Sequence, residues 1–256
     1  VERAARAAVF GGFSNGGQVC ISVERVYAHR DVADKLTQRM TELTKELKVG
    51  DPGKGSVDVG AIIFPKQIDI AEAHIDDAVK KGAKVLAGGK RIPGPGQFFE
   101  PTLLGDCNHD MTVMNEEIFG PVVAVMKVES DEEALRHANQ VNLGLNAYVF
   151  SKDRAYAHRL AERVQAGSVV VNDVLINGGM PEAPFGGLKD SGFGRVLGDD
   201  SLKELCEVKH INLDRIATQS EPLWFPYTDK GLAIARKATK LLFGGGGVLK
   251  KLSDLF

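Results

Sequence analysis

Three segments carry residue types that can do chemistry. The first is Phe13-Ser14-Asn15-Gly16-Gly17-Gln18-Val19-Cys20, where a helical pattern gives way to a glycine pair and then to a cysteine just ahead of a strand. A thiol there sits on open backbone, and it attacks a carbonyl once it is a thiolate, through a lowered pKa or a nearby base. Taken alone, a buried apolar cysteine is the commoner use, and no histidine stands close in sequence as a partner. The second segment, Asn115-Glu116-Glu117-Ile118-Phe119-Gly120-Pro121, sets acids and an aromatic directly before an apolar strand. Ligands of open α/β sheets gather at loops on the strand ends, and a carboxylate there suits paired ribose hydroxyls. A surface turn with solvated acids is the plainer alternative. The third is Pro184-Phe185-Gly186-Gly187-Leu188-Lys189-Asp190-Ser191-Gly192-Phe193-Gly194-Arg195, which follows Asn172 to Met180. No strand ends directly before it and no Gly-Lys-Ser/Thr follows, so it is not a phosphate loop. It reads as a long glycine-rich loop near a site, with a structural crossing loop as the alternative.

These segments need a scaffold, and the apolar periodicity supplies one. From Asp31, apolar residues Val32, Leu36, Met40, Leu43 and Leu47 recur every three or four positions, with Asp31 as a cap and Gly50-Asp51-Pro52 as a stop. The same logic predicts helices over Gln67 to Lys81, Asp131 to Val141 and Asp153 to Gln165. Short apolar or β-branched runs at Val23 to His29, Lys84 to Leu86, Val122 to Val128, Ala147 to Phe150 and Ser168 to Asn172 predict strands. Several lack clean alternation, as strands buried on both faces do. Strands alternating with helices predict an α/β fold with an open, largely parallel sheet flanked by helices.

Composition excludes some partners. Over 256 residues, 32 Lys+Arg stand against 34 Asp+Glu for a net charge of -2, without the basic excess of a nucleic-acid binder. Cys20, Cys107 and Cys206 are too few and too scattered for a disulfide framework or a paired-cysteine metal site, and a reducing, cytoplasmic setting is expected. The chain opens on Val1, already inside a helical pattern with no capping residue ahead of it, which predicts a fragment.

In this order, the three segments resemble the aldehyde dehydrogenase superfamily. Asn-Gly-Gly-Gln-Val-Cys is similar to its cysteine motif, Glu-Glu-Ile-Phe-Gly-Pro to its cofactor-side motif, and Gly144-Leu145-Asn146-Ala147-Tyr148-Val149-Phe150 and Pro184 to Arg195 to two further signatures. The resemblance runs from Val1 to about Leu213, giving an expected catalytic domain over 1–213 and an extension over 214–256. It implies Cys20 as the nucleophile, passing through a thiohemiacetal and a thioester to a carboxylic acid. It implies Glu117 on the nicotinamide ribose and Phe119 positioning that end of the cofactor. Val19, Ile21 and Phe185 would line the aldehyde tunnel with the Val174 to Met180 loop, favouring an aliphatic or extended apolar aldehyde. The implied cofactor is NAD or NADP, NAD favoured, with no metal, and the implied assembly is a homo-oligomer.

Two departures qualify the reading. Family members carry a dinucleotide-binding half, a general-base glutamate and an oxyanion-hole asparagine ahead of the nucleophile, and none of these matches the nineteen residues before Cys20. Val196 stands where many relatives place a glutamate after the arginine. A truncated, non-catalytic interaction module is therefore the alternative. Beyond Asn212 the α/β rhythm stops. Glu221 to Tyr227 reads as an extended docking segment, Gly231 to Phe243 as a basic amphipathic helix suited to packing or to contact with an anionic membrane surface, and Val248 to Phe256 as a short amphipathic stretch.

Overall fold

The structure, a computed structural model, describes residues 1–215, 219–220 and 224–244. The Val248 to Phe256 stretch and the first residues of the docking segment lie outside them. The chain divides into two compact units, Val1–Glu207 and Val208–Phe256.

In the first unit, helix α1 (Glu2–Phe13) leads through a 3-10 turn to strand β1 (Arg25–His29), and α2 (Arg30–Glu46) follows at once. Then come α3 (Pro65–Lys80), β2 (Lys84–Ala87), β3 (Thr102–Gly105) and β4 (Val122–Val128). After α4 (Asp131–Gln140), the short β5 (Leu143–Gly144) and β6 (Asn146–Val149) precede α5 (Arg154–Ala161), β7 (Ser168–Val171), β8 (Leu188–Lys189) and α6 (Gly198–Glu204). The main sheet has the order β1-β4-β3-β2, with β1–β4 and β4–β3 parallel and β2 antiparallel to β3. A parallel ribbon β6–β7 and an antiparallel pair β5–β8 complete a mixed, mostly parallel α/β architecture.

Burial follows from this order. β4 has neighbours on both edges and buries every residue except Lys127. Leu103 and Leu104, consecutive on β3, are both fully buried and point to opposite faces, one into the core with α1 and α2, the other into the core with α3. Only one edge of β1 and one of β6 pairs with another strand among the described residues, and both strands line the same open cleft.

The helices begin and end for local reasons. Asp31 does not cap α2. His29 does, its Nδ1 accepting from the Asp31 amide, because the helix starts two residues earlier than the sequence predicts. Ser130 caps α4 and Asp153 caps α5, each side chain accepting an amide of the first turn. α5 stops at Ala161, short of the predicted Gln165. There the chain tightens, Arg163 N donating to Leu160 O and Val164 N to Ala161 O.

In the second unit, α7 (Asp229–Phe243) is capped by Thr228, whose Oγ1 accepts from Gly231 N. Trp224, Phe225 and Tyr227 are exposed. No helix among the described residues is long and apolar enough to cross a membrane.

Candidate active site

The cysteine loop is built on left-handed backbone. Asn15, Gly16 and Gly17 have φ of 53°, 66° and 73°, so three consecutive residues occupy a region that favours glycine. Asn15 holds the turn from within, its Nδ2 donating to Gln18 O at 3.1 Å. Gln18 ties it outward, its Oε1 accepting from Ile63 N at 2.9 Å. A tight turn follows, Ser22 N donating to Val19 O at 2.8 Å, and Cys20 stands exposed at its tip. Val19 is half-buried and Ile21 buried on either side.

Two neighbours fix that turn. Tyr148, on β6, donates its hydroxyl to Ile21 O at 2.7 Å and accepts from Leu175 N at 3.3 Å. Burial, with Cys20 adding a smaller push, raises the Tyr148 phenol above its usual range and keeps it a donor. The Val174 to Met180 loop reaches the thiol loop at Gly178, where a Cβ would stand 3.2 Å from Ile21 Cδ1.

The acidic loop lies against the cysteine loop. A Cβ added at Gly17 would collide with Gly120 O, so the two backbones meet with no room for a side chain. Glu117 and Phe119 project from this loop, Glu117 exposed and Phe119 half-buried with φ 51°. Val19, Cys20, Ile21 and Glu117 line one cleft of about 1820 Å³, together with Asn146 and Tyr148. Residues distant in the chain thus share a wall because β1 and β4, which follow the two loops, are parallel neighbours.

Phe185 stands apart from that cleft. It is half-buried, and its backbone exchanges two hydrogen bonds of 2.7 Å with Val196. The rest of the glycine-rich loop works as an anchor. Lys189 Nζ donates to Asn139 O and Val141 O at the end of α4, a favourable place for a cation, and Ser191 Oγ accepts from Gly144 N at 2.9 Å.

Residues 1–211 match the sequence model of the aldehyde dehydrogenase family. The chain belongs to that family. An aldehyde dehydrogenase fold also appears in the solved structures it resembles. Betaine aldehyde dehydrogenase of Staphylococcus aureus, solved with NAD+, is 36% identical with a TM-score of 0.75, over 79% of this chain and 41% of that one. Succinate-semialdehyde dehydrogenase of Burkholderia pseudomallei is 35% identical with a TM-score of 0.76, over 79% and 42%. Among curated relatives, a 4,4'-diapolycopene aldehyde oxidase of Methylomonas sp is 38% identical over 98% of this chain and 46% of its own length. The chain thus spans less than half the length of these aldehyde dehydrogenase relatives.

Two residues of this candidate site are not evident from motif spacing. Glu24 is 8% exposed, and its Oε1 accepts from Ile118 N and Phe119 N, both at 3.0 Å. Arg25 donates to Glu116 O at 2.9 Å and stands 3.6 Å from Glu24 Oε2. The available signal was an acid inside an otherwise apolar strand approach, Ile21-Ser22-Val23-Glu24. No group of three or more His, Cys, Asp or Glu placed to hold a metal occurs among the described residues.

The cysteines separate by environment. Cys107 is buried at 5% exposure, and burial pushes its thiol up to about 12, whereas Cys20 and Cys206 are exposed. Iodoacetamide under native conditions is expected to modify Cys20 and Cys206 and spare Cys107 until denaturant is added, read by peptide mass spectrometry.

Proposed function

We propose that this chain is the catalytic portion of an NAD(P)-dependent aldehyde dehydrogenase that oxidises an aldehyde to a carboxylic acid through Cys20. The observation that carries this reading is the placement of an exposed thiol and an exposed carboxylate, Cys20 and Glu117, on two touching loops that border one cleft.

Glu117 has the chemistry to hold a ribose. Its carboxylate takes no hydrogen bond or ion pair among the described residues, which leaves it available to paired hydroxyls, with Phe119 alongside as an apolar face. A bound nicotinamide dinucleotide supplies the hydride acceptor. The chain's own residues do the rest. The Cys20 thiolate adds to the aldehyde carbon, and the Cys20 amide N–H would stabilise charge on the former carbonyl oxygen. Loss of hydride converts the thiohemiacetal to a thioester, and water cleaves it to acid and free thiol. The general base for that last step belongs to the part of the polypeptide that the family carries ahead of the nucleophile.

For the substrate, we read the apolar Val19 and Ile21 beside the thiol, with Val174 on the same cleft and the Val174 to Met180 loop meeting Ile21 at Gly178, as suited to an extended apolar aldehyde. One relative's name, a diapolycopene aldehyde oxidase, agrees with this, and others are named succinate-semialdehyde dehydrogenases. NAD remains the favoured cofactor, although the Mycobacterium ulcerans relative is named for NADP(+). Exposed Phe193, Leu202 and Leu205 support a homo-oligomer.

Cys20→Ser in the complete polypeptide is expected to lower aldehyde-dependent NADH formation by about 10³-fold or more. Retained turnover would remove Cys20 from the mechanism.

A further inference from the structure

We propose that Glu24 is a positioning residue, whose buried carboxylate sets the loop that presents Glu117 and Phe119 to the cofactor. The inference rests on the cofactor reading of those two residues and adds a residue that touches neither cofactor nor substrate.

Glu24 is the one carboxylate buried to this degree among the described residues. An ionised carboxyl is costly to bury, and desolvation pushes its pKa up. Such a group persists where its partners compensate it. Here they are the Arg25 guanidinium and two consecutive backbone amides, Ile118 N and Phe119 N, converging on one oxygen.

The geometry of the loop explains the need. Phe119 has φ 51°, a left-handed conformation that strains a residue with a Cβ. That conformation turns its N–H the same way as that of Ile118, making a two-donor nest for an anion. Without an acceptor, the fully buried Ile118 would carry an unsatisfied amide, and Phe119 would lose the acceptor that compensates its left-handed conformation. Further ties complete the fixation. Arg25 grips Glu116 O, and Gln67 Nε2 donates to Ile118 O. The Glu24 backbone is itself fixed to the sheet, since Ala124 N donates to Glu24 O at 2.8 Å. The backbone of 116–119 is therefore held rigidly while the Glu117 carboxylate is left open, as a pre-organised binding group requires.

Because Glu24 acts through the backbone of the loop, it predicts a specific pattern of effects. In the complete polypeptide, Glu24→Ala is expected to raise the Kd for NAD+, measured by calorimetric titration, and the KM for NAD+ by about tenfold or more, with the Cys20 alkylation rate unchanged. Glu24→Gln keeps an oxygen that both amides can share and should restore binding to within about threefold. Glu24→Asp keeps the charge but withdraws the oxygen by one methylene, and should behave like the alanine variant. An NAD+ Kd unchanged in folded Glu24→Ala and Glu24→Asp overturns the proposal, as does failure of both to fold. Glu117→Ala separates the two readings. Weakened NAD+ binding there with none in the Glu24 variants sinks only the role of Glu24. Unchanged binding in Glu117→Ala sinks the cofactor reading beneath it.

Discussion

Gly17→Ala is expected to impair both stability and catalysis, although it adds a single methyl group. Gly17 has φ 73°, so the alanine would pay about 1–2 kcal/mol in backbone strain alone. The added Cβ would also overlap Gly120 O and the Gly120–Pro121 peptide, and these are backbone atoms that cannot swing aside. Relief requires the cysteine loop and the acidic loop to separate. Cys20 and Glu117 stand on those two loops, so separation by even about 1 Å should lower kcat/KM in the complete polypeptide on the order of 10²-fold. A lowered urea midpoint and a raised KM for NAD+ should appear together. A variant with wild-type midpoint and wild-type kcat/KM would mean that the close approach of the two loops is unimportant.

The second large effect lies far from the thiol. Leu103→Ala is expected to cost about 2–5 kcal/mol, because the side chain is fully buried and the cavity would open in the middle of the main sheet. Leu103 packs in the core that α1 and α2 close, and β3 lies between β4 and β2. The deficit should be read in equilibrium urea unfolding. Leu188→Ala is the internal control, since that residue is 37% exposed and should change the midpoint little. Equal loss in both variants would contradict the packing described.

β3 also marks where the sequence was hard to read. The long helices and most strands follow from periodicity, as α2 and α3 do with one apolar stripe each and β4 with its unbroken apolar run. Thr102–Gly105 is four residues long, stands just after Pro101, and contains two leucines that favour helix as readily as strand. Its identity as a strand is conferred by pairing with β4 and β2, which local sequence does not encode. The boundary differences at α2 and α5 have the same origin, since a histidine cap and a tightened final turn are choices made by the tertiary setting.

The site divides in a similar way. Cys20 stood out for the glycine pair ahead of it and the Glu117 segment for its place just before an apolar strand, the family resemblance singled out both residues, and their common cleft follows from parallel β1 and β4. Phe185 was singled out by the same resemblance; it is not among the residues that line the cleft, although Asp190 and Ser191 of its loop are. Glu24 was invisible to motif spacing. A buried acid is recognised only once its two amide donors, distant in sequence, are seen to converge on it.

The open edges of β1 and β6 give the cleft walls of unequal firmness. The wall carrying β1 belongs to a four-stranded sheet with β4 saturated on both sides, and local opening there must break into a packed core. The wall carrying β6 is a two-stranded ribbon in which every residue of both strands is only partly buried. Two strands without a deep core are marginal by themselves, so sub-global opening of the unit should begin at β6 and β7 and reach the β1 wall last. Tyr148 sits on the softer wall and Ile21 beside the firmer one, so their 2.7 Å hydrogen bond is where the breathing of one wall is passed to the turn that carries the thiol.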